Sequence, residues 1–151
     1  MVRKFGTVIY KNSIKLFLIF CVSLIPTISL ADNIVEVSDS TIELLTESNL
    51  IEPGDELLVG FKFSLSPGWH TYWVNPGDAG EGASIKWNLP RDVKASKILW
   101  PGPERIPVEP LMTFGYENEV VLLTKIYTSK NTDIPLTLNA LVSWYTCKEI
   151  C

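Results

Sequence analysis

Histidine occurs once in this 151-residue chain, at position 70, and cysteine three times, at positions 21, 147 and 151. That is too few ligands for a zinc centre of the usual Cys/His kind. Ser-His-Asp chemistry would have to rest on His70 alone. Positive charge is scarce as well. Beyond residue 31, nine Lys/Arg stand against 17 Asp/Glu, a net −8 with no basic cluster. Phosphate binding needs a patch of Lys and Arg, so no nucleic-acid partner is expected. Helix signals are scarce in that part, and internal repeats and low-complexity segments are missing. Disorder is not expected either, because twelve aromatics lie there among many β-branched residues. The length suits a single domain.

The first 31 residues differ from the rest. They hold Arg3, Lys4, Lys11 and Lys15 and no acid. The apolar run from Leu16 to Ile25 is too short to cross a bilayer comfortably, and Pro26 ends it. Ser29-Leu30-Ala31 then supplies small residues at −3 and −1. This is the pattern of a cleavable signal peptide over residues 1–31, with the exported domain, residues 32–151, starting at Asp32. An uncleaved membrane anchor is the alternative. Phe20 stands where a lipoprotein would carry a small residue before Cys21. Cleavage removes Cys21 and leaves Cys147 and Cys151 in a compartment where disulfides form.

Strand signals fill the exported part. In Glu56–Leu65 the residues Leu57, Val59, Phe61, Phe63 and Leu65 alternate with mostly polar or small ones, the period of a half-buried strand. Pro53-Gly54 and Pro67-Gly68 bound it as turn dipeptides. Weaker strands fall at Ile42–Leu44 and Ala83–Leu89. Glu119–Thr128 is apolar on both faces, as in a strand covered on two sides. Leu136, Leu138, Ala140, Val142 and Trp144 alternate again. Pro101, Pro103, Pro107 and Pro110 rule out a helix and leave edge strand or extended loop. The expected fold is all-β, an immunoglobulin-like β-sandwich. The sequence ends directly after its clearest C-terminal strand, so the domain is expected to be incomplete there, a piece of a longer protein.

Cys147-Lys148-Glu149-Ile150-Cys151 carries the chemistry. Two cysteines four apart can reach disulfide range in a helical turn or a tight loop. Closing a ring of about five residues contributes only roughly 2 kcal/mol, against roughly 3 for a fifteen-residue loop. A short dithiol suits exchange better than stapling, because the second thiol resolves a mixed disulfide. Structural bonding and metal binding remain open on spacing alone. If the strand continues unbroken, Cys147 shares the face of Asn139, Ser143 and Tyr145, opposite Leu138, Val142 and Trp144, which puts its sulfur near solvent.

Gly68–Gly80 is dense in aromatics. Trp69 and Trp73 at even spacing are expected to face the core, with Asn75-Pro76-Gly77-Asp78 as a turn; a stacked-ring ligand surface is the rival reading. His70 reads as a hydrogen-bonded structural histidine. Met112-Thr113-Phe114 is apolar where a loop should be polar, which fits either a segment that covers something or ordinary loop packing.

The ordered segments GWHTYWVNPGDAG (68–80), IKWNLP (85–90), WPGPERIP (100–107), FGYENEV (114–120) and WYTCKEIC (144–151) resemble one family. It is the periplasmic N-terminal domain of DsbD-type protein-disulfide reductases, in particular the ScsB-like copper-suppressor branch. The resemblance spans roughly residues 40–151. It implies an immunoglobulin-like fold and thiol–disulfide exchange without a cofactor or metal. Electrons would come from a membrane-embedded or thioredoxin-like donor domain of a membrane-anchored protein. They would pass to periplasmic disulfide isomerases or to thioredoxin-like proteins of cytochrome c maturation. By position Cys147 and Cys151 match the redox pair, with Cys151 forming the mixed disulfide. Met112 and Phe114 fall where the family has a cap over the pair. An acidic Asp-Glu-Phe cap is absent, and Leu111-Met112-Thr113-Phe114 stands in its place. The rivals are a β-sandwich binding module with a structural Cys147–Cys151 bond, and a Cu(I)-binding protein using Cys147, Cys151 and Met112.

Overall fold

The computed structural model describes residues 33–149. The expected signal peptide (1–31), its junction at Asp32 and the second cysteine, Cys151, lie outside the described residues. Every regular element among those residues is a strand. In chain order they are β1 (Ile34–Glu36), β2 (Ser40–Thr46), β3 (Glu56–Leu65), β4 (His70–Gly77), β5 (Ser84–Asn88), β6 (Val93–Ala95), β7 (Glu104–Val108), β8 (Leu111–Glu117), β9 (Glu119–Thr128), β10 (Asn139–Ser143) and β11 (Thr146–Cys147). Among the described residues no helix is long and apolar enough to cross a membrane.

The strands form antiparallel sheets in the orders β1-β2-β3-β9-β6, β11-β4-β8-β7 and β10-β5. The alternation in β3 decides which face is covered. Leu57, Val59, Phe61, Phe63 and Leu65 are buried, and the residues between them, Gly60 apart, are half-buried. On β9 the buried set is Val120, Leu122, Thr124 and Ile126, while Val121 and Leu123 on the other face are half-buried. That outer face is covered only in part, less than its apolar composition suggested. Across the core, Tyr116 of β8, Trp73 of β4, Trp87 of β5 and Trp144 pack against this sheet. Trp87 stacks at a tilt on Phe61 and Trp144 meets Phe63 edge-on. The architecture is an immunoglobulin-like β-sandwich.

The proline-rich stretch became an edge. Pro107 lies in β7, which pairs only with β8, so its missing N–H faces no strand. Trp73 packs on the core, but Trp69 is half-buried and outside the core cluster. Asn75-Pro76-Gly77 is not a free turn. It continues β4 through a bulge, with the register jumping from Tyr72↔Gly115 to Gly77↔Thr113. Trp73–Pro76 therefore oppose Phe114 alone, and the bulge holds Pro76 where no ladder bond is required. Gly77, at φ 88°, closes the irregularity.

Candidate functional site

Cys147 occupies the last position of β11, at the edge of the four-stranded sheet, and is 1% exposed. The expectation of a solvent-facing sulfur is therefore overturned. Parity from Asn139 to Cys147 fails because the chain changes sheets. β10 pairs with β5, the chain leaves that ladder at Trp144-Tyr145, and β11 pairs with β4. Three side-chain hydrogen bonds pin this crossing. The Trp144 indole N–H donates to Ser40 Oγ at 3.2 Å, and the Thr71 hydroxyl donates to the Tyr145 carbonyl at 2.9 Å. The Thr146 hydroxyl donates to the Asp39 carboxylate. Periodicity cannot report any of them, since each joins distant parts of the chain.

Cys147 is disulfide-bonded. It is the single cysteine among the described residues. Its sulfur is 3.4 Å from the Glu149 carbonyl oxygen, a contact that becomes an S–H···O hydrogen bond when the sulfur is a thiol.

A cavity of about 10 Å³ adjoins the sulfur, lined by His70, Tyr72, Val108, Leu111, Thr113 and Glu149 among others. That volume holds a single water at most. No small substrate enters it, and chemistry at this sulfur requires the cover to part or a partner to bring its own sulfur to the edge. The cover is the β7–β8 hairpin. Asp78 holds it from the side: its backbone N–H donates to the Met112 carbonyl at 3.0 Å, and its carboxylate accepts from the Met112 N–H at 2.9 Å. Gly115 lets the hairpin close, because a Cβ there would collide with the Thr71 carbonyl oxygen of the facing β4.

The two residues expected to cap the pair are both in this hairpin, on β8. Alternation turns Leu111 and Thr113 toward the cavity, with Met112 and Phe114 on the opposite face. The Phe114 ring lies beside Gly77, and neither Met112 nor Phe114 lines the cavity at Cys147. The donor set of a copper site, Cys147 with Met112, is thus not brought together around that cavity. Among the described residues no group of three His, Cys, Asp or Glu side chains is placed to hold a metal ion.

The residue the sequence undervalued is His70. It is the register partner of Cys147 across β4 and β11, 2% exposed, and set edge-on to the Tyr72 ring at 5.2 Å. Its Nε2 is buried with no hydrogen-bond partner, so it is not the satisfied histidine expected. A buried polar atom left without a partner costs about 1–3 kcal/mol. Burial lowers the imidazole pKa below its usual 6.5, and the Glu117 carboxylate opposes that shift. His70 is therefore neutral at pH 7. No local pattern marked it, because its neighbour comes from 77 residues further on.

The family model for the N-terminal domain of the thiol:disulfide interchange protein DsbD matches residues 43–151. Among solved structures, the N-terminal periplasmic domain of ScsB from Proteus mirabilis superposes with a TM-score of 0.59 at 24% identity. The match covers 78% of this chain and 45% of that one, so the chain spans under half the length of that structure. No curated protein matches the chain at a significant level.

Proposed function

The chain belongs to the family of DsbD N-terminal domains, and from that premise we propose that it is a periplasmic thiol–disulfide exchange domain working through a Cys147/Cys151 dithiol. A donor dithiol reduces the disulfide. The reduced pair then attacks a partner disulfide: Cys151 forms the mixed disulfide, and Cys147 resolves it. Each cycle moves two electrons and two protons from the pair to the partner. No cofactor takes part.

The observation that carries this reading is an oxidised Cys147 held at a sheet edge under one hairpin, beside a cavity too small for a ligand. A binding module would need a platform, and Trp73, Trp87 and Trp144 are committed to the core. A structural staple gains little from so short a ring. The donor is a membrane-embedded or thioredoxin-like domain of a longer, membrane-anchored polypeptide. The acceptors are periplasmic disulfide isomerases or thioredoxin-like proteins, selected in part by the acidic surface. The segment Leu111–Phe114 screens the pair from oxidants. Residues 1–31 direct export and are removed after Ala31.

The test uses the full-length protein. Cys147→Ala traps acceptor proteins on Cys151 as stable mixed disulfides, whereas Cys151→Ala abolishes reductase activity and traps none. Retained activity on protein disulfides in both variants overturns the relay.

A further inference from the structure

We propose that His70 is the proton acceptor of Cys147: its Nε2 takes the thiol proton when Cys147 becomes the resolving nucleophile. The proposal rests on the exchange reading above and deepens it. Its observations are geometric. His70 and Cys147 are directly opposed across β4 and β11, and antiparallel partners place their side chains side by side on one face. Both line the same small cavity, and both are almost wholly buried. The imidazole Nε2 in that setting has no hydrogen-bond partner. A histidine kept for structure is kept for its hydrogen bonds. His70 Nε2 is buried without a partner at the edge of a cavity that Cys147 also lines, so a proton released when the disulfide opens has a buried imidazole near it.

Burial leaves the imidazole unprotonated at neutral pH, while the same desolvation opposes the imidazolium. The Glu117 carboxylate, opposite His70 on β8, stabilises the imidazolium once formed. From the remaining neighbours, Glu149 lines the cavity, Tyr72 meets the ring edge-on, and the Thr113 hydroxyl is engaged with the Ile106 carbonyl at 3.0 Å. Next to Cys147 in the chain, Lys148 is exposed and Thr146 is engaged by Asp39. None of these but His70 offers a neutral, buried base.

The Cys151 thiolate attacks a partner disulfide, an S–S bond forms between them, and the partner's leaving thiolate takes a proton from water. Cys147 S–H then passes its proton to His70 Nε2. The Cys147 sulfur attacks Cys151 Sγ, closing the Cys147–Cys151 disulfide and breaking the mixed one. The partner's second sulfur leaves as a thiolate and receives the proton from His70. The pair has been oxidised and the partner disulfide reduced by two electrons.

The test compares His70→Gln and His70→Phe with wild type in the full-length protein, with a disulfide-bridged peptide as the probe. Formation of the mixed disulfide should stay within about twofold, while its resolution slows by about 100-fold, the lower range for loss of a general base. The mixed disulfide then accumulates on rapid acid quenching. The wild-type resolution rate should fall with pH below neutrality as the imidazole protonates, a limb the variants lose. A second readout does not depend on exchange. With Cys151→Ser and the protein reduced, alkylation of Cys147 at pH 7 should drop about tenfold when His70 is also replaced. Unchanged resolution and alkylation in a folded variant overturn the proposal, as does a wild-type resolution profile with no inflection below neutrality. If wild type exchanges with nothing but Cys147 alkylation still depends on His70, the relay fails and the His70–Cys147 coupling stands.

Discussion

The β3–β9 ladder and the β4–β8 ladder belong to the same sandwich but are built to different standards. β3 and β9 pair without interruption from Glu56↔Tyr127 to Ser64↔Glu119. β4 and β8 pair for three positions, break at a bulge and resume at Gly77. The polar atoms follow the same division. Thr124 on β9 is buried but exchanges hydrogen bonds with Ser96. The two buried side-chain polar atoms without partners among the described residues, His70 Nε2 and Trp73 Nε1, are both on β4. The strand facing Cys147 therefore gives up regularity and satisfaction that the strand behind it keeps. Local cost of this kind concentrates where structure serves a site more than stability.

The sharpest way to break that comparison is to damage the regular side. Phe63 is fully buried and packs on Trp144. Phe63→Ala should cost about 3–5 kcal/mol, read as a large fall in Tm, with the reactivity of Cys147 per folded molecule unchanged. A change in reactivity at temperatures where the variant is folded would show that the two ladders are not independent. On the irregular side, Cys147→Ala should cost no more than about 2 kcal/mol, the loop-closure bound for the proposed five-residue ring. Urea unfolding of oxidised wild type against the variant measures it. A loss well above that figure would restore the staple reading.

A smaller effect sharpens the cover. Leu111 is half-buried and faces the cavity, while Met112 and Phe114 face away. Leu111→Ala should lose about 1 kcal/mol, a fraction of the roughly 1.5–3 kcal/mol of a fully buried Leu. It should also speed alkylation of reduced Cys147 by a small thiol reagent. Phe114→Ala, on the other face of β8, should speed it less. The reverse order would identify Phe114 as the residue over the sulfur, the role its sequence position suggested.

The same contrast explains how much the sequence revealed. On β3 the period-2 alternation stated the burial residue by residue, and Pro107 marked β7 as an edge; on β10 Val142 is half-buried but Ala140 is exposed, and the outer face of β9 is covered only in part. Wherever pairing is irregular, the sequence pattern misled. Asn75-Pro76-Gly77 carries turn chemistry, yet the bulge lets it run on as strand. Cys147 counts as outward-facing from Asn139, yet a hydrogen bond from Thr71 and hydrogen bonds to Ser40 and Asp39 redirect the chain into the other sheet. The position of the cysteine was legible; its burial and its histidine neighbour were not, because both depend on contacts distant in sequence, with His70 on β4 and with Val108, Leu111 and Thr113 of the β7–β8 hairpin.

The last test asks for the least signal and bears on the least regular strand. Burial holds the His70 pKa in the folded chain below the unfolded value of 6.5. Between those two values the unfolded chain binds a proton that the folded chain does not, so unfolding gains as pH falls. The stability contributed by neutral His70 is present above pH 6.5 and is lost as pH falls through the folded pKa. Carboxylates also lose stability on acidification, so the slope of wild type alone does not isolate the histidine. The difference between wild type and His70→Gln does, because the carboxylate contributions are common to both. Urea titrations at pH 7 and pH 5.5 should therefore show wild type losing more stability than His70→Gln over that interval. Equal losses would mean that His70 titrates alike in the folded and unfolded chain. Its burial beside Cys147 would then not be what keeps it neutral.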